Sequence, residues 1–343
     1  MQINILYRHN HSPELLPQPV GAVDLSSEPM FSTTSLSSSD RKKALLALLV
    51  VTSVWGATFI WMKQALNALE SEIAVQGRFQ VIAILVAARF LVAAVVMFFA
   101  FSRARTALRE PEQWKGGLIL GGIMFVGFVT QMIGLEEISP SVSAFLTSLY
   151  VVFTALISML FTKSRPTRTL LVGVLLATFG AGFIQGPPHL TWGVGEILTV
   201  ICAVFFALHI IFTQRITQEV DPVGVTLTSF VVVSAGSIVL LFLAGGGQSI
   251  SQWSIVFKDG VLLQVLCLGI GGSFFCLLLL NIYQRYLNPI QAAIIYALEP
   301  VWATIYGLTL GLDEWTGWIL IGGSALFFGN VVVEIFTNAD EEE

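Results

Sequence analysis

Long apolar runs follow one another along the chain from residue 43, with short polar connections between them. Each run has about the length of the ~20-residue helix that crosses a hydrocarbon core of ~30 Å. Period-two alternation is absent, and helices satisfy their backbone polar groups within lipid. The pattern therefore predicts an all-α membrane protein with ten spans, at 44–66, 79–101, 115–135, 139–162, 168–185, 193–214, 223–245, 260–283, 289–311 and 316–337.

The composition indicates lipid as the main solvent of this chain. Of its 343 residues, 55% are hydrophobic and 11% charged, and the mean hydropathy is +0.81. A soluble domain carries about 25% charged residues, so an ordinary soluble enzyme is excluded. The net charge of −5 gives no basic excess for nucleic acid. No metal-ligand spacing, nucleotide-binding motif or catalytic motif occurs, so no metal, cofactor or catalytic residue is predicted.

The lysines and arginines predict the orientation in the membrane. With ten spans, both termini lie on one side. If that side is cytoplasmic, 13 of the 17 basic residues are inside and only Lys63, Arg78 and Lys258 are outside. This bias follows the positive-inside rule, so cytoplasmic termini are predicted.

The two halves of the apolar region resemble each other at an offset of 149 residues. Residues 138–149 align with 287–298, which places Pro140 on Pro289. Because five spans per copy is an odd number, the second copy would enter the membrane from the opposite side. Such inverted repeats are typical of transporters with a midplane site. The predicted organisation is a disordered polar tail (1–42), two five-helix repeats (43–186 and 187–337) and an acidic tail (338–343).

Ionisable side chains deep in a span are candidate functional groups, because a charge at the bilayer centre costs about 2.5–3.5 kcal/mol on insertion scales. Glu299 lies in the middle of span 9, and Pro300 after it removes a backbone donor. Helical spacing would place Tyr296, Glu299 and Trp302 on one face, as a polar wall for a small zwitterion. The alternatives are a structural Glu299 that stabilises a kink, and a Glu299 that exchanges a proton.

The other candidates have equally open interpretations. Arg89 in span 2 would bind an anionic group or form a structural ion pair. His209 in span 6 would be a neutral, hydrogen-bonded histidine or a donor facing the pore. Tyr150 aligns with Glu299 in the repeat. The remaining candidate substrate-binding residues are aromatic or polar side chains inside spans: Trp55, Thr58, Gln131 and Asn281.

Four short motifs resemble EamA-type carriers of the drug/metabolite transporter superfamily. They are Val54-Trp-Gly-Ala-Thr-Phe59, Ala88-Arg-Phe-Leu91, Gly195-Glu196 and Ala297-Leu-Glu-Pro-Val301. The resemblance covers residues 44–337 and implies ten helices, alternating access and transport of small metabolites such as amino acids, often outward. The chain departs from it at Tyr150-Val-Val152, where a proline is usual, and at Gly311-Leu-Asp-Glu314.

The predicted function is therefore a secondary transporter of small polar metabolites, and not an enzyme. An exchanger of sugar phosphates or nucleotide sugars is an alternative, although Arg89 is the one cation deep in the predicted membrane region. A membrane enzyme acting on lipid-linked substrates is a further alternative, which the short loops disfavour. The expected setting is the bacterial cytoplasmic membrane, with the chain as a monomer or weak homodimer whose partners are substrate and lipid.

Overall fold

The computed structural model describes residues 38–162, 168–183, 193–245, 250–310, 315–325 and 328–329. All regular structure in these ranges is helical. Most of the predicted N-terminal tail and the whole acidic tail lie outside the described residues. So does the Gly311-Leu-Asp-Glu314 turn.

Fourteen α-helices are described. Those of the N-terminal half are α1 (Ser38–Ala68), α2 (Glu70–Gln76), α3 (Arg78–Ala100), α4 (Ser102–Ala107), α5 (Pro111–Glu137), α6 (Pro140–Ser148), α7 (Tyr150–Thr162) and α8 (Arg168–Phe183). Those of the C-terminal half are α9 (Val194–Glu219), α10 (Pro222–Leu243), α11 (Leu262–Leu266), α12 (Cys276–Tyr283), α13 (Pro289–Tyr296) and α14 (Glu299–Thr309). A π-helix, Cys267–Phe275, joins α11 to α12.

Eight helical segments are long and apolar enough to cross a membrane. They are Asp40–Ala68, Arg78–Ala100, Pro111–Glu137, Val142–Leu160, Val194–Glu219, Pro222–Leu243, Leu262–Tyr286 and Pro289–Thr309. Each coincides with a predicted span. The fifth predicted span contains the shorter apolar helix Leu171–Gly180, and the tenth is helical over 317–325 in its described part. The chain is thus an integral membrane protein with eight membrane-length helices in the described residues, and ten spans remain a prediction.

The fourth and ninth spans are each broken in the middle, at positions that correspond in the two halves. Helix α6 gives way to α7 at Leu149, and α13 gives way to α14 at Ala297 and Leu298. Only the second break is followed by a proline, Pro300, which lies in the first turn of α14 where its missing N–H is tolerated. The first break therefore forms without the proline that is absent at Tyr150-Val-Val152.

The two broken helices also begin alike. Ser139 caps α6 by accepting a hydrogen bond from the Val142 N–H at 3.3 Å. Asn288, 149 residues later, caps α13 by accepting one from the Gln291 N–H at 2.8 Å. Each cap precedes a proline at the start of the helix, because proline is preorganised for that position.

Packing between the halves is reciprocal. Helix α1 of the first half packs against α13 and α14, and helix α9 of the second half packs against α6 and α7. The broken helices also contact each other crosswise, α6 with α14 and α7 with α13. The first long helix of each half thus supports the broken helix of the other, and all four breaks and supports meet in the interior.

Gly56 allows α1 to approach the beginning of α14 closely. A Cβ atom at this position would lie 2.7 Å from the Cβ of Trp302 and 2.8 Å from the backbone nitrogen of Ala303. No side chain fits at such distances without moving the neighbouring backbone. Gly56 therefore determines how close α1 lies to the residues that follow the break.

Candidate functional site

An internal cavity lies where the two helix breaks meet. About 530 Å³ of empty space lies between its walls and its open end, and the centres of water-sized molecules can occupy about 50 Å³ of it. A water molecule needs about 10–15 Å³ by this second measure, so the cavity holds a few waters or a compact ligand. Its lining is drawn from α1, α3, α5, α7, α9, α12, α13 and α14: Trp55, Thr58, Arg89, Met124, Phe128, Gln131, Tyr150, Phe206, His209, Ile210, Leu277, Leu280, Tyr296 and Glu299.

Glu299 is the first residue of α14, directly after the helix break, and its side chain lines the cavity. It is 6% exposed, and its carboxyl group has no hydrogen-bond or ion-pair partner among the described residues. The N-terminus of a helix stabilises a negative charge by about 0.3–1 kcal/mol, and by more where it is partly buried. The break therefore places an unpartnered carboxylate where one helix end favours it and a ligand can reach it.

Tyr150 occupies the corresponding place at the start of α7. Its ring is 3% exposed and its hydroxyl has no hydrogen-bond partner in the described structure. The Nε2 atom of His209, on α9, likewise lines the cavity without a partner, while its Nδ1 lies 3.4 Å from the Thr213 hydroxyl. Buried polar groups are normally hydrogen-bonded, so two such groups on one cavity indicate that its occupant supplies their partners.

Arg89 is held in the cavity wall by neutral groups. Its Nε donates to the Ser273 hydroxyl at 2.6 Å, and its guanidinium lies 4.5 Å from the centre of the Phe128 ring. The side chain is 4% exposed, and none of its contacts in the described residues is with a carboxylate. The ion pair considered from sequence, between Arg89 and Glu299, is not formed in this conformation. A cation–π contact with a desolvated arginine contributes about 2 kcal/mol.

Trp55 and Arg89 are both anchored on the π-helix. The indole Nε1 of Trp55 donates to the Gly272 carbonyl at 3.0 Å, one residue before the Ser273 that binds Arg89. A Cβ at Gly272 would lie 2.7 Å from the Thr58 methyl group and 3.2 Å from an Arg89 nitrogen. The glycine-rich, π-helical segment thus receives two cavity residues from α1 and α3, as π-bulges often do at functional sites.

Eight of the ten residues predicted from sequence line this one cavity: Trp55, Thr58, Arg89, Gln131, Tyr150, His209, Tyr296 and Glu299. Gln131 lies 3.5 Å from the Thr147 hydroxyl, and Thr58 donates to the Trp55 carbonyl. The rings of Tyr296 and Trp55 lie 5.5 Å apart. Their role in binding stays a prediction.

Asn281 and Trp302 lie outside the lining. The Asn281 amide donates to the Thr226 hydroxyl at 2.7 Å, between α12 and α10. The Trp302 indole donates to the Thr52 hydroxyl at 3.1 Å, between α14 and α1. Trp302 was placed beside Tyr296 and Glu299 by continuous helical spacing, but the break between α13 and α14 interrupts that spacing.

Sequence reasoning missed Gln284, a polar side chain that is fully buried beside the cavity. Its Nε2 donates to the Ile210 carbonyl at 2.6 Å, and its Oε1 accepts from the Tyr296 hydroxyl at 3.0 Å. Gln284 therefore positions Tyr296 by connecting α13 to α9. Its place near the end of an apolar run was the available signal, although an interfacial glutamine looks the same in sequence.

Comparisons with known proteins agree with this architecture. A curated "Uncharacterized transporter" of Archaeoglobus fulgidus (strain ATCC 49558 / DSM 4304 / JCM 9628 / NBRC 100126 / VC-16) is 26% identical over 295 residues, which are 86% of this chain and 87% of the relative. A protein of known crystal structure, 19% identical, superimposes with a TM-score of 0.64 over 88% of this chain and 99% of its own. That structural likeness supports the fold. The sequence matches the EamA-like transporter family over residues 42–185 and 193–334, so the chain belongs to the EamA-like transporter family.

Proposed function

We propose that this protein is a secondary transporter that carries a small polar metabolite, an amino acid or a similar compound, out of the cell by alternating access. Membership of the EamA-like transporter family supports transport across a membrane. The observation that carries the proposal is the meeting of two broken helices at one cavity with unpartnered polar groups. Broken helices at an internal site are a recurring design of secondary transporters.

The cavity favours a compact ligand with both a positive and a hydrogen-bond-accepting group. Glu299 offers a carboxylate for a cation, and the Tyr150 hydroxyl offers a donor for an oxygen atom. The aromatic walls, Trp55 and Phe206, suit a short apolar part. Such a ligand supplies the partners that the protein groups lack, so its binding offsets the cost of their burial.

Strongly anionic substrates fit this cavity less well. Arg89 is the one lysine or arginine in the lining, and Ser273 and Phe128 already hold it. A sugar phosphate or nucleotide sugar carries two or more negative charges and needs several cations. The chemistry of the lining thus supports the metabolite carrier over the phosphate exchanger.

In the proposed mechanism, two inverted repeats rock about the cavity, with the termini cytoplasmic and the bacterial cytoplasmic membrane as the setting. The reciprocal packing of α1 on α14 and of α9 on α7 supports this, because each half then holds the other half's binding residue. A tilt of one half against the other changes the access side while Tyr150 and Glu299 stay at the centre.

Exchange in proteoliposomes tests the proposal. Vesicles containing the protein are preloaded with amino acids, organic cations or sugar phosphates, and uptake of the labelled compound is followed. We expect exchange of an amino-acid-like compound, reduced at least tenfold by Glu299→Gln. Glu219→Gln is the matched control, because that carboxylate is 69% exposed at the end of α9. Exchange of sugar phosphates only, or full activity of the Glu299 variant, would contradict the proposal.

A further inference from the structure

Lys63, near the end of α1, binds three backbone carbonyl groups at the corner between α5 and α6. Its Nζ donates to the carbonyl oxygens of Leu135 at 2.8 Å, Glu136 at 3.0 Å and Ile138 at 3.0 Å. An ammonium group has three N–H donors, and each finds one oxygen here. We call these three carbonyl groups the carbonyl cradle.

The chain leaves these carbonyls without helical partners. Helix α5 ends at Glu137, and the last carbonyls of a helix have no intrahelical donor. The Glu136 carbonyl would be bonded by residue 140 in a continuing helix, but Pro140 has no N–H. The C-terminal end of a helix also carries partial negative charge. The carbonyl cradle is therefore suited to a small cation, and Lys63 supplies one.

Other charges close the same corner. Arg78, at the start of α3, pairs with the Glu137 carboxylate at 2.5 Å and lies 3.6 Å from that of Glu136. The ends of α1, α3 and α5 are thus connected through Lys63 and Arg78. This corner lies at the end of α5 beyond Gln131, which lines the cavity.

The corresponding corner of the second half is connected differently. There the contact between α9 and the end of the eighth span is made by the neutral amide of Gln284, which donates to the Ile210 carbonyl. Thr213 stands in α9 where the repeat places Lys63 in α1, and it contacts His209. The two ends of the molecule therefore differ, with an ammonium group in the bonds at one end only.

We propose that Lys63 is a built-in cation that latches α1 to the α5–α6 corner and leaves the carbonyl cradle when the cavity opens toward that side. The inference rests on the alternating access proposed above. Transporters often place an external cation against unwound backbone carbonyls and helix C-termini. In this protein a tethered ammonium takes that position, so closure of this end needs no inorganic cation. Shortening the side chain exposes the carbonyl cradle to a small primary ammonium ion from solution.

Cysteine accessibility tests the latch without any substrate. A reporter, Gln131→Cys, is labelled by a membrane-impermeant thiol reagent from each side of the membrane, and labelling of the native cysteines is subtracted. In the Lys63→Ala background we expect labelling from the Lys63 side to rise at least tenfold. Millimolar methylammonium should restore protection, whereas choline, which has no N–H donor, should not.

Three further variants separate the latch from a loss of folding. Lys63→Met fills the space without charge, so it should label fast and resist rescue by methylammonium. Lys63→Arg keeps a cation and should stay largely protected. Lys115→Ala removes a lysine that pairs with Glu112 at the start of α5, at the opposite end of that helix, and should leave labelling unchanged. Thermal unfolding of each variant in detergent checks that it is folded.

The outcomes distinguish this proposal from the proposed function. Unchanged labelling in folded Lys63→Ala, or equal protection by choline and methylammonium, would overturn the latch while leaving transport intact. A reporter that no variant exposes from either side would instead argue against alternating access. Rescue by sodium as well as by methylammonium would support a carbonyl cradle that accepts small monovalent cations in general.

Discussion

Tyr150 and Glu299 lie 149 residues apart in sequence, and each is the first residue of a helix that begins at a break and lines the same cavity. One offers a hydroxyl and the other a carboxyl group, and neither has a hydrogen-bond partner among the described residues. The repeat therefore conserves the geometry of the two positions while their chemistry differs. This difference makes the cavity polar in two distinct ways.

The Tyr150 hydroxyl should serve the ligand and not the fold. Tyr150→Phe removes a buried group that makes no hydrogen bond, so the thermal unfolding temperature should stay the same or rise slightly. Substrate affinity in exchange assays should fall about tenfold, which corresponds to about 1.4 kcal/mol. Unchanged affinity would show that the substrate does not reach the hydroxyl.

The Tyr296 hydroxyl should behave in the opposite way. It donates to Gln284, which would be left with a buried, unbonded oxygen in Tyr296→Phe. Leaving a buried polar group unsatisfied costs about 1–3 kcal/mol, so this variant should lower the unfolding temperature in detergent. Equal stability of Tyr150→Phe and Tyr296→Phe would contradict the difference that the two environments predict.

Gly56 should tolerate no larger residue. Gly56→Ala places a methyl group 2.7 Å from the Trp302 Cβ, and overpacking of this kind costs about 1–3 kcal/mol. Gly122→Ala is the matched control, because a Cβ there meets nothing within 4 Å. Chemical denaturation of both variants provides the comparison. A Gly56→Ala protein as stable as Gly122→Ala would mean that α1 and α14 separate readily.

The bond between Arg89 and Ser273 should be a substantial one, because a charged donor is buried with it. A double-mutant cycle of Arg89→Lys and Ser273→Ala should give a coupling of about 1.5–3 kcal/mol in stability. Lysine cannot reproduce the planar guanidinium over the Phe128 ring, so Arg89→Lys alone should be destabilising. Additive effects of the two substitutions would show that the bond contributes little.

The two helix caps should contribute similarly. Ser139→Ala and Asn288→Ala each remove a side chain that accepts a backbone N–H, which costs about 1 kcal/mol. Ser139→Gly is the informative control, since glycine at an N-cap costs only a few tenths of a kcal/mol. Stability measured by denaturation should therefore rank the wild type and Ser139→Gly above Ser139→Ala. The reverse order would show that the cap is not formed.

Sequence reasoning reached much of the fold because each span is a local feature. Twenty apolar residues predict a membrane helix whatever the neighbours are, and eight predicted spans coincide with membrane-length helices. The candidate residues were found for a similar reason, since a polar group within an apolar run is visible without any structure. Eight of them line one cavity, although a sequence does not tell which face of a helix is buried against its neighbours.

The breaks at Leu149 and at Ala297–Leu298 escaped sequence reasoning for a physical reason. Pro300 signalled a kink at the second break, but the first break has no proline and its residues are good helix formers. It forms where α6 and α7 pack against α14, α13 and α9, so the packing of distant segments decides it. The role of Lys63 escaped for the same reason, because its three carbonyl partners lie 72–75 residues away in the chain.

The amino-acid sequence alone determined the solvent of this protein, the places of its membrane helices and its internal repeat, since these follow from hydropathy and spacing along the chain. Tertiary structure alone decided which polar groups share the cavity, which of them lack partners, and where a lysine replaces an external cation. Those properties depend on desolvation and on atom-to-atom distances between helices, and both arise only when the helices pack.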